Sequence, residues 1–185
     1  LNGSTGRVYE GQMPVLPAQP DKNKWYSKLM KWADAVRQIG VRTNAESPED
    51  AAQAVAFGAE GIGLARTEHM FFEADRIIHV REMIVATHEA DRRKAIMKLL
   101  DFQKKDFIGI FKAMAGKPVT VRLLDPPLHE FVGSLLEDRK ELEALAKNCG
   151  VKPEVIEDRI KALHEFNPML GHRGCRLGIA YPEIT

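Results

Sequence analysis

Arg66 and Arg122 each close a short apolar run. The first lies in Gly61-Ile62-Gly63-Leu64-Ala65-Arg66-Thr67-Glu68-His69-Met70-Phe71-Phe72, the second in Pro118-Val119-Thr120-Val121-Arg122-Leu123-Leu124-Asp125-Pro126-Pro127. A guanidinium keeps its charge at any physiological pH and forks onto a carboxylate or phosphate through two parallel hydrogen bonds. An arginine at the mouth of a buried strand is therefore a ready anion clamp. Two such clamps point to a small polyanionic ligand. The competing reading makes each arginine the partner of a nearby acid, Glu68 or another helix acid at the rim for Arg66 and Asp125 for Arg122, contributing at most about 1 kcal/mol if exposed. Further along, Gly171-His172-Arg173-Gly174-Cys175-Arg176 sets two more arginines among glycines. These glycines would let backbone and guanidinium approach a ligand closely, although a solvated loop is the plainer reading.

Other chemistries match less well. Gly61-x-Gly63 opens a strand, whereas a dinucleotide fingerprint follows one and needs a third glycine where Arg66 stands. Close strand packing accounts better for this pair. Three His-Glu dipeptides, at His88, His129 and His164, lack the second histidine of a zinc-protease helix, since Arg92, Gly133 and Pro168 occupy that position. Only His129, just past the double proline, falls near the proposed clamp. Arg173 and Arg176 would favour a thiolate at Cys175, but His172 alone does not make an activated nucleophile. Cys149 reads as packing.

Elements able to position these residues follow from periodicity. Asn2-Gly3-Ser4-Thr5-Gly6 signals a turn, and prolines at 14, 17 and 20 signal a linker. Trp25, Leu29, Trp32, Val36 and Ile39 recur at helical spacing up to Gly40. Residues 41–44 form a brief strand, and Ser47-Pro48-Glu49-Asp50 opens a helix with a capping serine, a proline at its first position and acids in its first turn. Residues 61–65 form a second strand. A long helical region from about residue 76, broken near residues 89–91, carries a buried stripe of Ile96, Leu99, Leu100, Phe107, Ile110, Phe111 and Met114. Residues 119–124 form a third strand, apolar enough to be covered on both faces. Amphipathic segments at 138–148 and 153–165 lead to a loop or short strand at 167–176, and Pro182 begins a final helix. Strands alternating with helices predict an α/β fold with a parallel sheet. A complete (β/α)₈ barrel takes about 250 residues, so three or four strands here predict part of one, about the first half.

The totals narrow the function classes. Twenty-seven Lys and Arg against 26 Asp and Glu leave a net charge of +1, with both signs interspersed, which argues against nucleic acid as a partner. No run approaches the roughly 18 apolar residues of a spanning helix, and residues 1–20 lack the layout of a signal peptide, so no membrane partner is expected and the start reads as internal. Two isolated cysteines make neither a disulfide framework nor a metal spacing, which fits a reducing compartment.

Three stretches carry a resemblance: residues 61–72; Arg-Leu-Leu-Asp-Pro-Pro-Leu-His-Glu-Phe at 122–131; and His-Glu-Phe-Asn-Pro-Met-Leu-Gly-His-Arg-Gly-Cys-Arg at 164–176. Together they resemble the pyruvate, phosphate dikinase family, in that family's order and over essentially the whole chain. Phosphoenolpyruvate synthase and enzyme I of the phosphotransferase system share Gly-Ile-Gly-Leu-x-Arg-Thr-Glu, but the Leu-Leu-Asp-Pro-Pro-Leu-His-Glu-Phe run favours the dikinases. The resemblance implies a three-part enzyme with an ATP-grasp domain, a swivelling phosphohistidine domain and a C-terminal (β/α)₈ barrel. Such an enzyme interconverts ATP, phosphate and pyruvate with AMP, diphosphate and phosphoenolpyruvate. By that similarity residues 1–20 are the tail of the swivelling domain and a linker. Residues 21–185 are then the N-terminal part of the barrel, entered through a linker helix.

Arg66 and Arg122 fall on substrate-binding arginines of the family and Arg173 on a third facing the same pocket, with Asp125, His129 and Arg176 as neighbours. The phosphohistidine is expected before Leu1; the magnesium ligands and the catalytic cysteine, which is not Cys175, are expected after Thr185. No catalytic or metal-binding group is therefore expected within the chain, which should not turn over alone. The implied partners are phosphoenolpyruvate or pyruvate, the phosphohistidine domain of the same parent, and further copies in a homo-oligomer. The implied compartment is the cytoplasm, or a plastid or other organelle. A competing expectation is an association module acting through an open half-barrel edge.

Overall fold

A computed structural model describes residues 1–12, 14 and 19–184. Pro17 of the expected linker and Thr185 of the expected final helix lie outside the described residues. The chain divides into two compact units, Leu1–Ile39 and Gly40–Thr185.

In the first unit the Asn2 side chain accepts hydrogen bonds from the amides of Ser4 and Thr5, each at 3.1 Å, and closes the predicted turn, with Asn2 and Arg7 bridged antiparallel. Helix α1, Lys24–Val36, starts where Asn23 caps the amides of Trp25 and Tyr26. The helix stops at Val36, short of Gly40, and none of its apolar stripe is buried.

The second unit is built on a three-stranded parallel sheet in the order β1-β2-β3, formed by Thr43–Asn44, Ile62–Arg66 and Val119–Arg122. This agrees with the predicted parallel α/β class. Helix α2, Pro48–Ala56, links β1 to β2, and its predicted cap is present: Ser47 accepts from the Asp50 amide at 3.1 Å, a device worth about 1 kcal/mol. Glycine at 61 is required by close approach, because a Cβ there would lie 2.7 Å from the Pro118 carbonyl at the start of β3.

Between β2 and β3 run α3 (Ala74–Val85), α4 (Glu89–Met97) and α5 (Leu100–Met114). The first break falls at residues 86–88, just before the predicted one, and a second, unpredicted break falls at Lys98 and Leu99. The expected stripe is half right: Leu99, Ile110 and Met114 are buried, while Leu100 and Phe111 face solvent. After β3 come α6 (His129–Val132), α7 (Arg139–Cys149) and α8 (Pro153–Leu163). Then α9, Gly174–Ala180, is a helix where a loop or short strand was expected. Strand β3 ends at Arg122 and none of its residues is fully buried, so the expectation of cover on both faces fails for this sheet edge.

The core has two parts. Ala45, Ala51, Ile62, Ala65, Met70, Ile110 and Met114 pack the sheet against α2 and α5. A larger helical cluster, including Val80, Ile84, Phe131, Leu142, Leu145 and Ile156, joins α3, α6, α7 and α8. Cys149 packs against it, as expected. Burial, with Glu82 adding to it, pushes this thiol above its ordinary range and away from reactivity.

Candidate anion-binding site

All three strands point their carboxyl ends the same way, so the residues just past them share one end of the sheet. In α/β sheets this is the end where ligands bind. Arg66 closes β2, Arg122 closes β3, and the two are register partners across the ladder. Each strand also has an acid shortly beyond its last residue: Glu46 after β1, Glu68 after β2 and Asp125 after β3.

The arginines and acids pair in an order that sequence neighbourhood did not give. Arg66 donates from Nη1 to Glu46 Oε1 at 3.0 Å, across the sheet, and leaves Glu68 alone. Glu68 instead accepts from Nη2 of Arg122 in a short contact. Arg122 Nη1 lies 3.3 Å from Asp125 Oδ2, and the same oxygen accepts from Arg173 Nη2 at 2.7 Å. Asp125 thus joins Arg122 to Arg173, and its backbone carbonyl accepts from the Gly174 amide at 3.1 Å. Gly174 has φ +55°, and a Cβ there would meet Asp125 Oδ1 at 3.1 Å, so a side chain would crowd this joint. The hydrogen bond that Arg173 donates to Asp125 is the main cause that raises its pKa above the ordinary guanidinium value, keeping it charged.

Three predicted residues are therefore brought to one place by hydrogen bonds and register: Arg122, Arg173 and Asp125, with Arg66 beside them. The other two neighbours are placed differently. Arg176 donates to the carbonyls of Leu170 at 2.7 Å and Met169 at 3.1 Å, bracing the loop before Arg173. His129 begins α6 with its ring 5.8 Å from that of His164, and its Nδ1 is buried without a partner. Among the described residues no hydrogen bond or ion pair joins His129 to the three arginines. Cys175 is exposed, and the guanidinium groups of Arg173 and Arg176 are engaged by Asp125 and the loop carbonyls.

Sequence reasoning missed the roles of Glu46 and Glu68. The signal was available: an acid two residues past β1, two past β2 and three past β3 is a repeated position, not three accidents. Chemically, the cluster sets three arginines against three carboxylates: Arg66 pairs with Glu46, Arg122 with both Glu68 and Asp125, and Arg173 shares Asp125. An incoming dianion would compete with Glu46 and Asp125, which are partly exposed, more readily than with Glu68, which is 3% exposed.

Residues 20–185 match the family described as PEP-utilising enzyme, PEP-binding domain, and the chain belongs to that family. Within it the chain is similar to proteins named pyruvate, phosphate dikinase. It is 56% identical to the one from Rhizobium meliloti (strain 1021) and 51% identical to the one from Clostridium symbiosum. It is 52% identical to pyruvate, phosphate dikinase 1, chloroplastic, from Arabidopsis thaliana. In each case all of this chain is covered, and it spans about a fifth of the relative's length.

Proposed function

We propose that this chain supplies the substrate-anchoring arginines of the phosphoenolpyruvate or pyruvate site in a larger pyruvate, phosphate dikinase. The observation that carries this reading is the placement of Arg66 and Arg122 as register partners at the carboxyl ends of adjacent parallel strands, with Arg173 tied to the second through Asp125. Phosphoenolpyruvate presents a carboxylate and a phosphate, and three fixed guanidinium groups suit both. In the step served here the N–P bond of a phosphohistidine breaks and an O–P bond forms to the enolate oxygen of pyruvate. Charge on the transferring oxygens is held by cations that need no reorganisation. The proton lost from pyruvate is taken by a group outside this chain.

The parallel order β1-β2-β3 supports reading residues 21–185 as the first part of a (β/α)₈ barrel; residues 1–20 are read as the tail of the swivelling phosphohistidine domain and a linker from the family resemblance alone. The parent is a homo-oligomer of the cytoplasm or a plastid. Free cysteines fit such a reducing setting, no helix among the described residues is long and apolar enough to cross a membrane, and one relative is named chloroplastic. The residues present do not fit a magnesium cage: Glu46, Glu68 and Asp125 each face arginine, and among the described residues no group of three or more His, Cys, Asp or Glu is placed to hold a metal. The magnesium ligands are assigned outside this chain, which alone is inactive.

The test uses the full-length enzyme carrying this segment. Arg122→Ala should cut phosphoryl transfer to pyruvate by about 10²-fold or more while leaving histidine phosphorylation from ATP and phosphate intact. Equal loss of both half-reactions would point to general damage and remove the assignment.

A further inference from the structure

Glu68 is the most buried charged group at this end of the sheet, 3% exposed, and it spends only one oxygen on Arg122. Its other oxygen, Oε2, is buried with no hydrogen-bond partner. As a device for stability this is poor. Burying a carboxylate carries a desolvation cost that a single charge-assisted contact repays incompletely, and apolar replacements of such pairs are often neutral or stabilising. A buried, half-satisfied carboxylate calls for another reason.

The reason lies in what Arg122 needs. Its side chain is 36% exposed, and an arginine that open has many rotamers to lose on binding. Asp125 cannot fix it alone, because Asp125 is itself partly exposed and shares its Oδ2 with Arg173. Glu68 comes from β2's exit, and the other pairing acid, Asp125, from β3's, so the guanidinium is held from two elements. Of its five N–H groups, Nη2 gives one to Glu68, Nη1 faces Asp125, and Nε is buried without a partner. That leaves one further hydrogen on each of Nη1 and Nη2 to meet the oxygens of a carboxylate or phosphate.

We propose that Glu68 is a positioning residue, fixing the Arg122 fork in its ligand-receiving orientation before substrate arrives; this rests on the reading of Arg122 as a substrate-anchoring arginine. Glu68 touches no substrate and acts through Arg122. Misplacement of a positioned group by about 1 Å can cost about 10²-fold in rate, which sets the size of the effect.

The experiment measures both half-reactions in the full-length enzyme, with thermal melting alongside, for Glu68→Gln, Arg122→Ala and the double variant. Glu68→Gln should lower kcat/KM for phosphoenolpyruvate about 10²-fold and leave histidine phosphorylation unchanged. Added to Arg122→Ala it should cause no further loss, since the group it orients is gone. A wild-type pyruvate-side rate in Glu68→Gln beside a disabled Arg122→Ala overturns the positioning role and leaves the anchoring role standing. Losses that multiply in the double variant also overturn it. An unaffected Arg122→Ala removes the anchoring reading and this one with it. If Glu68→Gln does not fold, Glu68→Asp decides: it keeps the charge on a shorter arm, and an undiminished rate overturns the proposal.

Discussion

Arg122 and Arg139 both bind several carboxylates, one at the charged end of the sheet and the other on the helical surface formed by α7 and α8. Arg139 has more partners. It contacts Glu143, Glu154 and Glu157, but its side chain is 55% exposed, Glu143 and Glu154 are open to water, and Glu157 is partly so. Arg122 has two, and one of them is almost wholly buried. Water and salt screen the first set, whereas the low dielectric around Glu68 screens the second far less. Partner number thus says little about what an ion pair holds together, and burial of the acceptor says much.

Glu68→Ala should separate the two arginines most. Removing the acid takes the buried partner from Arg122, which is 36% exposed and still faces Asp125, so the chain should lose about 1–3 kcal/mol of stability, read from the urea midpoint at constant slope. A loss under about 1 kcal/mol would put this pair in the surface class with Arg139.

How far the sequence carried the site depends on whether a contact is local. The Ser47 cap, the Asn2 turn and the glycine at 61 are set by neighbours or by a single close approach, and their types announce them. Strand ends were readable for the same reason, since Arg66 and Arg122 interrupt apolar runs. Pairing was not readable. Arg66 joins Glu46 from twenty residues back, and Arg122 joins Glu68 from fifty-four, distances that only the register of β1, β2 and β3 collapses. Helix α9 was hidden because its glycines at 174 and 178 lower helix propensity. Leu100 and Phe111 fit the α5 period yet face solvent, because the buried sector of that helix is set by α2 and the sheet and is narrower than the pattern.

Between the extremes lies Glu82 on α3. Burial raises its pKa, but hydrogen bonds and charge from Lys98 at 2.7 Å and His79 at 3.0 Å outweigh this and bring it below the ordinary 4.5. A carboxylate with a depressed folded value contributes stability that is fully present above its unfolded pKa and is lost as pH falls through the folded one. The chain should therefore hold this contribution at neutral pH and shed it in acid below about 4.5. Glu82→Gln should be less stable at pH 7 and approach the parent's midpoint in acid. A difference that stays constant from pH 7 to 3 would show that Glu82 acts through packing alone.

The smallest effect is expected where the contacts are most numerous. Arg139→Ala removes three ion pairs at once, and its pKa lies above the ordinary arginine value, chiefly through the Glu143 hydrogen bond. Each of those glutamates returns to water when the arginine goes, so nothing buried is left uncompensated. Holding a long side chain in one geometry also costs entropy, which offsets much of the screened attraction. The melting midpoint should stay where it was, at low salt and at high. A clear drop confined to low salt would mean that the three acids act as a network rather than as separate surface pairs. Exposure of the acceptor would then cease to be sufficient ground for setting Arg139 apart from Arg122.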